Sequence, residues 1–174
     1  MYYEIKTNRL ILRPLDISDV KSVHEYASDD ENTTYMFHLP NDSIEKIKQF
    51  LSNVTNEWKK ENPNYYEFAI VYNNTQIGAI SIALNDKRTT GEFGWIINKR
   101  YWKQGIAIES ALAIKDFALN TLKLQKIVAN CDCRNISSFN LIKKIGMTLE
   151  NDTGTRTYPK SNETVQELTY SLTI

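Results

Sequence analysis

Two cysteines, four prolines and six glycines are spread through 174 residues, and neither sign of charge is in excess. Lys and Arg number 21 and Asp and Glu also 21, which excludes a generally basic surface for nucleic acid and an acidic solvating tail. No direct nucleic-acid binding is therefore expected. No apolar run approaches the roughly 20 residues that span a bilayer. The opening MYYEIKTNRLILRPL lacks a basic segment followed by a long apolar core. The expectation is a cytoplasmic protein with no membrane partner. Cys131 and Cys133 stand two apart in a strand candidate, where both side chains point the same way and a disulfide between them would be strained. Zinc would need more ligands, and His24 and His38 lie far upstream, so no metal is expected. The cysteines read instead as small, half-buried strand residues. With no low-complexity linker and no repeat, residues 1–174 read as one domain, long enough to bury about two-thirds of the unfolded surface.

What is present is a regular alternation of elements. Residues 4–14 read as a strand centred on Leu10, Ile11 and Leu12. Asp16 or Ser18 then caps a helix carrying Val20, Val23 and Ala27 at helical spacing. Asp42-Ser43-Ile44-Glu45 resembles a capping box, and Ile44, Ile47, Leu51, Val54 and Trp58 form one stripe of a second helix ending before Pro63. Strand patterns follow at Tyr65–Tyr72, Gln76–Leu84 and Thr90–Ile97, joined by turns at Asn73-Asn74 and Asn85-Asp86, as an antiparallel meander. A long helix runs from about Gly105 to Thr121, and a strand from Lys126 to Cys133. Asn135 caps a further helix with Ile136, Phe139, Ile142 and Ile145 on one stripe, closed by Gly146. Strands near Met147–Glu150 and at Val165–Leu172 complete an α+β domain with helices on a mixed sheet.

The junction Tyr101-Trp102-Lys103-Gln104-Gly105-Ile106-Ala107 carries an apolar strand into an apolar helix through one permissive Gly. Such a loop turns successive N–H groups toward one spot, where the helix dipole also favours an anion. The chain has no Gly-Lys-Ser/Thr, which excludes the usual nucleotide triphosphatase loop. It has no Gly-x-Gly-x-x-Gly, which disfavours a dinucleotide site. Lys99, Arg100, Lys103, Lys143 and Lys144 surround the junction. Each alone reads as solvated surface; together with an amide cradle they suit a phosphate-rich ligand.

Three runs together resemble the GNAT superfamily of N-acetyltransferases, in its ribosomal-protein N-terminal acetyltransferase (RimJ/RimL-like) branch. They are Thr7-Asn8-Arg9-Leu10-Ile11-Leu12-Arg13-Pro14-Leu15, Trp102-Lys103-Gln104-Gly105-Ile106-Ala107-Ile108-Glu109-Ser110, and Asn135-Ile136-Ser137-Ser138 with Ile145-Gly146-Met147. The resemblance implies a single GNAT-like domain whose twisted sheet splays at its centre, helices on both faces. It implies acetyl-CoA as cosubstrate, with its pyrophosphate on the amides of Gln104, Gly105, Ile106, Ala107 and Ile108. Lys103 stands where the family usually has Gly; a negative φ there would leave its N–H available to the same cradle. The pantetheine arm would lie between the strand ending at Ile97 and the strand ending at Cys133, paired with the backbone of Trp95, Ile96 and Ile97. An amide there would stabilise the oxyanion formed when an amine attacks.

Many relatives place a Tyr seven residues after the Asn as proton donor to the leaving thiolate, and here that position is Ile142. In the ribosomal-protein branch a Ser three residues after the Asn is proposed, which is Ser138. Asn135 would hold cofactor or the helix start. Glu92, just before the splay, is the first candidate for general base; a surface carboxylate paired across the sheet is the competing reading. The Glu that one ribosomal-protein relative is thought to use before a Tyr in the last hairpin is Thr157 here, before Tyr158. Tyr35, Met36, Phe37 and His38 fall in the segment that usually borders the acceptor, although core packing suits each of them as well. The expected partner is an amine acceptor, a protein N-terminus or a small-molecule amine, bound by a monomer or homodimer. A CoA-binding regulatory module with little turnover is the alternative from another class.

Overall fold

A hydroxyl standing in for a backbone acceptor divides the first predicted strand. The computed structural model describes residues 2–37 and 43–173. In it Thr7 N donates to Leu10 O at 3.0 Å, and Leu10 N donates to Thr7 Oγ1 at 3.0 Å. The chain folds back there into two strands, β1 (Ile5–Lys6) and β2 (Leu10–Pro14), in place of one over 4–14. Asp16 then accepts from Ser18 N and caps a 3-10 turn, Ile17–Asp19, that leads into α1 (Val20–Ala27). Helix α2 (Ile44–Trp58) buries Ile47, Leu51, Val54 and Trp58 as its spacing requires. Ile44, expected on the same stripe, is 42% exposed, because it occupies the first turn beyond the packed face. Ser43 accepts from Lys46 N at 3.4 Å as the N-cap, while Asp42 and His38 lie outside the described residues.

Strands β3 (Tyr65–Tyr72), β4 (Thr75–Leu84) and β5 (Thr90–Ile97) form the expected antiparallel meander. Asn73 and Asn74 take positive φ at its first turn. Helix α3 (Ile106–Asp116) continues as one π turn, Phe117–Thr121, into β6 (Lys126–Asp132). Asn135 caps α4 (Ile136–Lys144), which ends at Gly146 with φ +93°, the left-handed closure that glycine adopts without strain. Ile136, expected on the apolar stripe of α4, is 60% exposed; Leu141 and Ile142 carry the packing. Strands β7 (Thr148–Thr157) and β8 (Thr164–Thr173) close the chain, β7 being far longer than the strand expected near 147–150.

Among the described residues the sheet has eight strands in the order β1-β2-β3-β4-β5-β6-β8-β7, and α-helices pack on it as the expected α+β class requires. Tyr3, Trp58, Tyr66, Phe68 and Phe117 meet edge to face at ring separations of 4.9 to 5.7 Å, locking the ends of α2 and α3 to β3. Every neighbouring pair is antiparallel except β5 and β6. Those two pair in parallel only at Thr90 with Lys126, Gly91 with Ile127 and Glu92 with Val128. Beyond that point β5 follows β4 to Ile97 and β6 follows β8 to Asp132, so the sheet opens. Among the described residues no helix is long and apolar enough to cross a membrane.

Candidate active site

The opening between β5 and β6 leaves one edge of β5 without a strand partner, and strand parity decides which groups face it. Asn85 N donates to Thr90 O and Asn98 N to Ile77 O, so even-numbered residues of β5 direct their backbone toward β4. Phe93, Trp95 and Ile97 consequently direct N–H and C=O into the gap. Ile96, expected to offer its backbone there, pairs instead with Ala79 of β4. The carbonyl of Ile97 is already taken: Trp102 Nε1 donates to it at 2.7 Å and Asn32 Nδ2 at 3.2 Å. Asn32 Oδ1 in turn accepts from Lys99 N at 2.6 Å. Trp95 N–H and C=O and Ile97 N–H therefore remain as the edge that an extended, amide-bearing ligand can join.

At the top of this edge the chain enters α3. Gly105 is the N-cap at φ +77°, ψ 3°, and the first helical bond runs from Glu109 N to Gly105 O at 3.1 Å. The N–H groups of Gly105, Ile106, Ala107 and Ile108 thus have no intrahelical acceptor and stand at the positive end of the helix dipole. Gly105, Ile106, Ala107 and Ile108 line a cavity of about 630 Å³ together with Lys103 and Lys144. Gln104, expected in the cradle, is not part of this lining. The nearby cations separate clearly: Lys99 pairs with Asp29 and Glu31, Arg100 with Glu25, and Lys143 lies over the Phe139 ring, leaving Lys103 and Lys144 on the cavity wall.

Lys103 corrects one expectation. Its φ is +61°, left-handed rather than negative, which accounts for glycine being usual at this position in the family that the sequence resembles. Lys103→Gly should relieve roughly 1–2 kcal/mol of strain, less about 0.5–1 kcal/mol of added chain entropy. A thermal melt should show a rise of about 1–3 °C; a fall would show that the strain at Lys103 is smaller than the chain entropy that glycine adds.

A second cavity, about 700 Å³, lies across the gap and is bounded by Glu92, Asn130, Cys131, Arg156 and Glu167. Trp95, Tyr35, Met36, Asn135 and Ser138 line both cavities, so Ser138 stands where the two meet. Asn135 Oδ1 accepts from Ser138 N at 3.1 Å, the N-cap bond expected of it, which holds Ser138 in the first turn of α4. Ser138 Oγ has no hydrogen-bond partner among the described residues. Glu92, exposed at the mouth of the splay, accepts from Asn130 Nδ2 at 3.0 Å, and Asn130 Oδ1 accepts from Thr169 Oγ1 at 2.8 Å. This is the cross-sheet pairing weighed for Glu92, and it leaves one carboxylate oxygen uncommitted among the described residues. Tyr35 and Met36, half-buried, border both cavities, and Phe37, exposed, borders the second alone.

Sequence reasoning did not find the frame around this cavity. Asp132, fully buried, is held by Arg134 at 2.7 Å and by the hydroxyl of Tyr158 at 2.9 Å, while Arg134 reaches Glu163 at 2.9 Å. Burial works against the Asp132 charge, but these donors outweigh it and hold its carboxyl below the usual range. Burial and the neighbouring Asp132 push the Tyr158 phenol up to about 12, so it remains a donor. The network docks the β7–β8 hairpin against the start of α4. Cys131 is buried, which pushes its thiol up to about 11, far from the thiolate that a nucleophile requires.

Comparison with known proteins agrees with this geometry. The Acetyltransferase (GNAT) domain description matches residues 9–148. The N-acetyltransferase YnaD of Bacillus subtilis is 31% identical over 172 residues, covering 97% of this chain and 95% of its own. The chain belongs to the GNAT acetyltransferase family. It is an acetyl-CoA-dependent N-acetyltransferase. Among solved structures, RimL, a ribosomal L7/L12 α-N-protein acetyltransferase in complex with coenzyme A, superposes with a TM-score of 0.84 at 18% identity, covering 99% of this chain and 98% of RimL. The spermidine N-acetyltransferase of Vibrio cholerae, in complex with CoA and spermine, gives 0.82 at 17% identity, covering 96% of each chain. Likeness at such identities is of fold alone.

The acetyltransferase site fits CoA on its own terms. A Cβ at Gly105 would add bulk beside a cluster of unpaired amides, two lysines stand on the same wall, and an amide-bearing β edge leads from there to Ser138. Among the described residues no His, Cys, Asp and Glu cluster could hold a metal ion.

Proposed function

We propose that the acetyltransferase transfers an acetyl group directly to a protein N-terminal α-amine, in the manner of the ribosomal-protein branch. The observation that supports this most is Ser138, whose hydroxyl is unpartnered among the described residues and which both cavities share. In this reading the amides of Gly105, Ile106, Ala107 and Ile108, with Lys103 and Lys144, hold the pyrophosphate of CoA. Trp95 and Ile97 orient the pantetheine arm, which brings the thioester to the waist between the cavities. CoA supplies an activated acetyl group as a thioester. The N–H groups of the β5 edge stabilise negative charge developing on the acetyl oxygen, which is worth a few kcal/mol. Ser138 Oγ hydrogen-bonds the departing sulfur. Glu92 receives the amine proton, directly or through one water.

An α-amine suits so lightly armed a site. With a pKa of about 7.7–8.0 it is roughly one-tenth neutral at pH 7, whereas a lysine near 10.4 is almost wholly protonated. The buried thiol of Cys131 supports a ternary complex over an acyl-cysteine route. A small polycationic amine is the second reading, supported by the exposed Glu92 on the acceptor wall, where Glu167 is already paired with Arg156.

Release of CoA thiol from acetyl-CoA, followed across N-terminal peptides, lysine peptides and small amines, tests this choice. N-terminal peptides are expected to turn over fastest. Turnover confined to polyamines would select the second reading, and binding without turnover for any amine would select the regulatory one. Glu92→Gln is expected to lower kcat roughly 100-fold while the Kd for CoA holds within threefold. An unchanged kcat would return Glu92 to the role of a surface carboxylate.

A further inference from the structure

We infer that Arg9 is a positioning residue for the cofactor loop, acting from the side opposite the cavity; the inference rests on the proposal that this loop holds the CoA pyrophosphate. Arg9 Nη1 donates to the carbonyl of Gln104 at 2.9 Å. In a planar trans peptide the C=O of Gln104 and the N–H of Gly105 point in opposite directions. Turning that carbonyl toward Arg9 therefore turns the Gly105 N–H away from it, toward the cavity that Gly105 lines and Gln104 does not. The first donor of the cradle is set by a residue that never meets the ligand.

Arg9 is itself held. Its Nε donates to Glu109 Oε2 at 2.7 Å and its backbone N to Glu109 Oε1 at 2.9 Å, where Thr7 Oγ1 also donates at 2.6 Å. The Arg9 side chain is 40% exposed and that of Glu109 18%. Glu109 sits in the first turn of α3, one turn from the amides that would receive a pyrophosphate. Unpaired, its negative charge would oppose a second anion there. Arg9 thus has two effects, orienting a peptide and neutralising a carboxylate. The turn at Thr7 that separates β1 from β2 delivers it to the loop. The fit is close: a Cβ on Gly105 would come within 3.3 Å of Arg9 Nη2.

The test separates a loop effect from a general one by using a donor that lacks the pyrophosphate. Arg9→Ala should weaken CoA binding about tenfold by calorimetry, while kcat/KM for S-acetylpantetheine stays within twofold of the unaltered protein. Arg9→Lys keeps the charge but loses the fork, so it should fall between the two and guards against misfolding of the alanine variant. A CoA Kd within twofold in Arg9→Ala would overturn the proposal, as would an equal loss with both donors, which is the mark of a merely structural residue. If the unaltered protein used acetyl-CoA and S-acetylpantetheine equally well, the placing of pyrophosphate on this loop would fall, and the clamp with it.

Discussion

Ser138→Ala is expected to lower kcat about 100-fold while the Kd for CoA changes less than threefold. The hydroxyl has no partner among the described residues, so its removal should disturb the fold by no more than about 0.5 kcal/mol. The backbone bond from Ser138 N to Asn135 Oδ1 remains in the variant and keeps the first turn of α4 in place. What is lost is a hydrogen bond made to sulfur as charge develops on it, and donors of this kind contribute roughly 10²–10⁴-fold. An interaction realised only in the transition state lowers kcat without weakening binding. Steady-state kinetics beside a CoA titration separates these outcomes. Equal loss in kcat and CoA affinity would make Ser138 a binding residue, and no loss would remove it from the mechanism.

Gly105→Val should weaken CoA binding roughly 30- to 150-fold. Holding a non-glycine residue at a strained φ costs about 1–3 kcal/mol, the upper part of that range applying to a β-branched side chain, and 1.4 kcal/mol is about a tenfold change in Kd. The new side chain also approaches Arg9, so the loop must move in just the region where the amides converge. Gly105 is exposed at the head of a helix whose Ile106, Ala111 and Ile114 remain buried, and circular dichroism should show the helix content retained. Calorimetry with CoA gives the affinity. A Kd within threefold of the unaltered protein would mean that the anion does not sit on these amides.

Parts of this site could be read before any coordinates, and the reason differs residue by residue. The meander β3–β5 announces itself through β-branched and aromatic alternation between Asn turns, and Asn135 through its chemistry as an N-cap. Gly105 is legible because a strand passes into a helix there with no other permissive residue. Strand β7 is not legible: Thr148–Thr157 is polar and almost wholly exposed at the sheet edge, so no apolar alternation marks it. The division of the first strand depends on one hydroxyl, Thr7 Oγ1, taking the part of a carbonyl. The left-handed turn at Lys103 is imposed by the path between β5 and α3 against the residue's own preference. That Ile96 turns its backbone away from the gap follows only once the register with β4 is known. Arg9 and Glu109 are 100 residues apart, and no local pattern could join them.

Thermal unfolding with and without CoA decides whether the Gly105–Ile108 amides receive the pyrophosphate. A ligand that binds only the folded chain stabilises it by about 2.7 kcal/mol at a hundredfold excess over Kd. For a chain of this length that corresponds to a rise in Tm of roughly 5–10 °C. Such a rise is expected with CoA, and a much smaller one with pantetheine, which lacks the pyrophosphate. No rise at millimolar CoA, or equal rises with the two ligands, would contradict the assignment of the Gly105–Ile108 amides to the pyrophosphate.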